Sequence, residues 1–241
     1  MIKGLAITPP VLGRISIGKV VEKNGKRMPE KDDEFTITTQ VQSKGQWVKH
    51  PLDTELRQGE DSSKLRIIPI RLLFNDPDLN FRAQYSMFDH KTGRPVCVGN
   101  GETCKRMTAK GIESMPCEGP DLCALAIEGG CKPFGRFHVR IDHPECQADA
   151  LSTFVLRTTG INSMRTLLTR MQYLQAVSGG LLSFLPLEIR LRAKSTTMSR
   201  RTPIYYVDLG IRDGIALDAA IGQAISTAEH DCEVAPKKWS S

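Results

Sequence analysis

Apolar and polar side chains alternate with a period of two along Phe35-Thr36-Ile37-Thr38-Thr39-Gln40-Val41, the pattern of a strand with one face buried. Residues 65–74 form a second extended run, in which Pro69 points to an edge or a bulge because proline has no N–H to give a ladder. Residues 82–88 form a third. Asn75-Asp76-Pro77-Asp78 between these two runs is turn chemistry and predicts that they pair as neighbours. Short strands are expected again at 95–98, 136–141, 153–157, 187–193 and 204–209.

The period changes after residue 160. Ile161, Met164, Leu167, Leu168, Met171, Leu174 and Val177 recur at steps of three and four, which is one face of an amphipathic helix. Capping residues lie within 159–163, and Gly179-Gly180 supplies the stop. A weaker helical pattern covers 217–228 and leaves 230–241 as a polar tail. Many strands followed by two late helices give an α+β fold with a mostly antiparallel sheet. Its expected extent is one domain over 1–229, interrupted by a cysteine-rich, zinc-binding insertion at 99–135.

Of 241 residues, 40% are apolar and 25% charged, which is ordinary for a folded globule. No stretch approaches the roughly 20 apolar residues of a membrane helix, and the first thirty residues lack the apolar core of a signal peptide, so a cytoplasmic protein without membrane contact is expected. The net charge of +6 favours an acidic partner. Between residues 151 and 214, nine Lys or Arg face three acids, a surplus equal to that of the whole chain.

Seven cysteines, an odd number in a reducing compartment, argue for metal ligation or burial rather than a disulfide framework. Cys104, Cys117, Cys123 and Cys131 fall within 28 residues rich in glycine, proline and charge. A segment so poor in large apolar side chains needs another source of cohesion, and four thiolates around a structural zinc ion supply it. An iron–sulfur cluster takes the same ligands, and four unrelated reduced cysteines are the plain alternative. Cys97 could replace Cys104, but its place between Val96 and Val98 reads as strand; Cys146 and Cys232 read as bystanders.

Two strands carry cations on one side: Arg136, His138 and Arg140 on the first, and Arg190, Arg192 and Lys194 on the second. In one sheet they would form a continuous strip for phosphates, with Tyr206 or Tyr205 available to stack on a base and Arg200 and Arg201 extending it. The same residues are also what the wet face of any antiparallel sheet carries. No G-x-S-x-G, phosphate-binding glycine loop or H-E-x-x-H motif is present. His138, Asp142 and His143 invite a metal-hydrolase reading, yet the latter two precede Pro144 in a turn and no second cluster completes a ligand set. A non-enzymatic protein is expected.

Ile7-Thr8-Pro9-Pro10, Arg94-Pro95-Val96-Cys97 with the cysteines after it, and Arg157-Thr158-Thr159-Gly160-Ile161-Asn162-Ser163 leading through Gly179-Gly180 to Pro186-Leu187 resemble the recombination directionality factor-like proteins of phages and integrative elements. The resemblance implies an accessory protein that binds a large serine integrase and biases it from integration toward excision, without catalytic residues. Combined with the residues above, it predicts a zinc-stabilised protein that engages a recombinase–DNA complex. A single-stranded DNA-binding protein of a recombination or repair module is the alternative. A metal-dependent hydrolase comes third, because it needs an open coordination position that four cysteines deny.

Overall fold

The computed structural model describes residues 8–23, 26–57, 63–89, 91–144, 153–195, 197 and 201–234. In chain order the strands and helices are β1 (Val11–Lys23), β2 (Lys26–Ser43), β3 (Gln46–Lys49), α1 (Pro51–Leu56), β4 (Ile67–Arg71), α2 (Pro77–Asn80) and β5 (Phe81–Phe88). Then come β6 (Pro95–Gly99), β7 (Thr103–Thr108), β8 (Gly111–Pro116), α3 (Ala124–Gly129), β9 (Lys132–Ile141) and β10 (Thr153–Thr158). The chain continues with α4 (Ile161–Val177), β11 (Leu187–Lys194), β12 (Ile204–Ile211) and α5 (Leu217–Val234).

The strands run in the order β3-β2-β1-β10-β9-β5-β6-β7-β8, and β4 links β9 to β11, which pairs with β12. Only β1 and β10 pair in parallel among these ladders, so the sheet is mixed but mostly antiparallel. The long strand β9 serves both parts. Lys132 to Val139 meet β5 and β10, whereas Arg140 and Ile141 meet Arg71 and Ile70 of β4. Phe35, Ile37, Phe137, Phe154 and Leu156 on one side and Ile68, Ile70, Leu187, Ile189 and Val207 on the other enclose a common core, with β2 touching β11 and β12.

Helix α4 follows the predicted span and buries Met164, Leu167, Met171 and Leu174. Its stop is also as expected: Gly179 and Gly180 take φ of 65° and 89°, conformations that favour glycine, and the Gly180 N–H closes on the Gln175 carbonyl at 2.8 Å. Its start is not capped by a side chain. The Ser163 hydroxyl instead accepts the Val207 N–H at 3.0 Å, tying α4 to β12. Helix α5 runs to Val234, past the expected end at 228, and 235–241 of the expected tail lie outside the described residues. Among the described residues, no helix is long and apolar enough to cross a membrane.

The expected pairing of 65–74 with 82–88 is corrected, because β9 lies between β4 and β5. Asp76 accepts the Asp78 N–H at 2.9 Å and starts α2, while the buried Asn80 side chain holds Leu73 and Phe74, so the linking segment becomes a helical turn instead of a hairpin. Pro69 sits in a strand flanked on both sides. The β9 ladder starts one residue later, at Ile70, and the Pro69 carbonyl accepts from Asp142 at 2.9 Å. The 99–135 insertion builds structure of its own: β7 and β8 extend the sheet beyond β6, and α3 follows.

Candidate functional site

Alternation along β9 sends Phe137 and Val139 into the core and leaves Arg136 and His138 on the opposite face. Register then sets their neighbours. Arg136 stands directly opposite Arg82 on β5 and directly opposite Arg157 on β10, so three arginines form a row across adjacent strands. Like charges placed this way cost roughly 0.2–1 kcal/mol per pair. Among the described residues, none gives the guanidinium of any of the three a hydrogen bond or an ion pair. Arg14 on β1, whose guanidinium lies 3.7 Å from the Trp47 ring centroid, adds its charge beside Arg157.

Arg82, Arg136, Arg157 and His138 line a cleft of about 200 Å³ together with Gln40 and Leu79. His138 is 8% exposed, and its Nδ1 is buried without a hydrogen-bond partner. Burial, followed by the charges of Arg136, Arg82 and Arg157, holds the imidazole pKa below its ordinary value. Unpartnered guanidinium groups around an unpaired imidazole nitrogen suit an anion with several acceptor oxygens.

The second basic strand differs. Arg190 pairs with Glu188 and lies 3.6 Å from Asp213, and Arg192 Nε donates to Asp208 at 2.7 Å. Arg170 of α4 reaches the same Asp208 at 3.4 Å. Lys194 Nζ lies 2.9 Å from Asn162 Oδ1 and 5.8 Å from the Tyr206 ring centroid. Arg140 sits opposite Arg71, which is held by Asp142 at 3.1 Å. The two basic strands thus differ: acids stand against Arg190 and Arg192 on β11, whereas none stands against the β5–β9–β10 row among the described residues. Arg201 is exposed, with φ of 63°; Arg200 lies outside the described residues.

In the insertion, Cys117, Cys123 and Cys131 line one small cavity of about 20 Å³, and the fourth cysteine in its wall is Cys97 rather than Cys104. Cys97 is a strand residue, as its neighbours indicate, but it stands opposite Met87 and Arg106, which line the same cavity. Arg106 Nη2 donates to Cys123 Sγ at 3.4 Å. Cys104, 3% exposed, places its Sγ 3.6 Å from the Pro116 carbonyl oxygen; burial and then the Cys97 thiol push its pKa up to about 11. As placed, no three His, Cys, Asp or Glu side chains among the described residues stand close enough to hold a metal ion. Cys146 lies outside the described residues, and Cys232 falls in α5.

His138, Asp142 and His143 do not converge. Asp142 is taken by Arg71 and Arg212, the latter at 2.5 Å, and His143 Nδ1 faces Glu55 Oε2 at 3.5 Å. Arg82 and Arg157 escape a reading of the sequence because each belongs to a different strand and only register joins them. A family model described as Gp3-like, recombination directionality factor-like, matches residues 12–212. No curated protein and no solved structure matches the chain.

Proposed function

Because the chain belongs to the recombination directionality factor-like family, we propose that it is an accessory protein of DNA recombination that binds a recombinase–DNA complex. It makes and breaks no bond. It favours one arrangement of the complex by binding that arrangement more tightly, and about 5.5 kcal/mol of differential affinity takes a two-state equilibrium from 1:99 to 99:1. The observation that carries this reading is the unpaired row of Arg82, Arg136 and Arg157, which lies inside the matched span. Backbone phosphates of recombinase-bound DNA provide the oxygens that guanidinium forks recognise, and the recombinase provides the remaining contact.

Fluorescence anisotropy of a labelled attachment-site duplex, with the recombinase already bound, tests the proposal. Adding the chain should raise the anisotropy, and Arg136→Glu with Arg157→Glu should weaken that association by about tenfold or more, equivalent to 1.4 kcal/mol. Unchanged association of the double variant removes the row from the interface. No association with the complex removes the accessory role. Equal binding to a single-stranded oligonucleotide without recombinase, lost between about 50 and 200 mM salt, would favour a single-stranded DNA-binding protein instead.

A further inference from the structure

We propose that Cys97, Cys117, Cys123 and Cys131 bind one zinc ion, with Cys104 beside the site and outside it. Sequence spacing favours Cys104, but strand geometry favours Cys97, since Cys97 shares the cavity wall with the other three. The cavity of about 20 Å³ has room for one small ion or water, for which about 10–15 Å³ is the minimum.

Local backbone delivers each sulfur. Gly99 lets Cys117 settle onto β6: a Cβ at that position would meet Cys117 Sγ at 2.8 Å and Cys104 Cβ at 2.7 Å. Gly119 turns with φ of 77° and its carbonyl accepts the Cys123 N–H at 3.2 Å. Gly130, at φ of 71°, ends α3 and returns the chain to Cys131 immediately before β9. The backbone thus brings the four cysteines to one cavity, and rotation about each Cα–Cβ bond re-aims a sulfur while the backbone stays in place.

Charge and cohesion favour zinc. Four thiolates around a divalent ion leave two negative charges, and the Arg106 guanidinium beside Cys123 offsets one of them through a hydrogen bond to sulfur. The large apolar residues of the insertion do not hold it together, because Ile112, Leu122 and Ile127 are 71%, 77% and 72% exposed. Folding free energy there comes instead from metal binding, as in small zinc domains. Cys104, whose sulfur faces the Pro116 carbonyl, packs behind the site.

The full-length chain purified without chelator should contain one zinc per chain by plasma emission spectrometry, and its cobalt-substituted form should show the absorption of a tetrahedral four-thiolate site. Cys104→Ser should retain both signals, and Cys97→Ser should lose them together with the circular dichroism of the insertion's strands, while the rest of the protein keeps its cooperative urea transition. Loss in Cys104→Ser with retention in Cys97→Ser overturns the ligand set. Iron with broad visible absorption, or no metal in the wild-type chain, overturns the zinc site. Should Cys97→Ser misfold, cobalt-loaded Cys104→Ser decides: an intact four-thiolate spectrum upholds Cys97, and a three-thiolate spectrum refutes it.

Discussion

Arg57 Nε lies 2.9 Å from Asp53 Oδ1 inside the protein, with Arg57 5% exposed and Asp53 fully buried. The remaining valences are also met. Asp53 Oδ2 accepts the Ile37 N–H at 2.8 Å, and the guanidinium reaches the Phe35 carbonyl at 2.7 Å and Glu34 at 2.5 Å. This pair locks α1 onto the middle of β2. Asp53→Ala would leave the Ile37 N–H and the Arg57 Nε–H unpaired in the interior, with Glu34 still balancing the guanidinium, and it should destabilise the fold by about 3 kcal/mol, read from the urea midpoint.

Asp33 is joined to Lys64 at 2.7 Å and to Arg66, and these hydrogen bonds lower its pKa from 3.8 to about 2. A carboxylate depressed in the folded state stabilises it above the unfolded pKa, and that contribution fades as pH falls from 3.8 toward 2. Carboxyl carbon shifts in an NMR titration should place the Asp33 midpoint near 2, and Lys64→Ala should raise it. A wild-type midpoint near 3.8 would show that the pair does not form in solution.

What could be read in advance depended on whether the signal was local. Helix α4 was legible because seven apolar residues from Ile161 to Val177 repeat on one face, and β11 because Leu187, Ile189 and Leu191 alternate with charge. Strand β7, Thr-Cys-Lys-Arg-Met-Thr, was not, since its inward positions are Cys104, Arg106 and Thr108 and so form no apolar stripe. The pairing of β4 and β5 failed for another reason: β9 enters between them from about fifty residues downstream, and no short window contains that choice. The same holds for function. Alternation assigned Arg136, His138 and Cys97 to faces, but only register set Arg82 and Arg157 beside the first and Arg106 beside the last.

The two basic strands should answer differently to mutation. Glu188 is 2% exposed and depends on Arg190, while Asp208, 7% exposed, depends on Arg192 and Arg170. Arg190→Ala with Arg192→Ala should therefore cost about 3 kcal/mol of stability, the low end for a broken buried pair. Arg136→Gln with Arg157→Gln removes repulsion between unpaired cations, and should leave stability unchanged or raise it by up to about 1 kcal/mol. Thermal denaturation of the two variants side by side measures the contrast, and equal losses would mean that Arg136 and Arg157 have partners of their own.

His138 offers a probe of the cleft that requires no mutation. The groups facing it are Arg136 on its own strand, Arg82 on β5 and Arg157 on β10, with no acid among them, and burial adds to their effect in keeping the ring neutral. In the unfolded chain a histidine takes up a proton near pH 6.5, whereas the folded chain resists until a lower pH, so His138 makes the empty protein less stable as pH falls below 6.5. A phosphate in the cleft reverses the balance, because its negative charge favours the imidazolium and raises the pKa. Binding of a short oligonucleotide should then tighten between pH 7 and pH 5.5, and the His138 ring proton should titrate at higher pH with the oligonucleotide than without it. An NMR titration in both states gives the answer: the same midpoint with and without oligonucleotide would mean that the phosphate does not reach this ring.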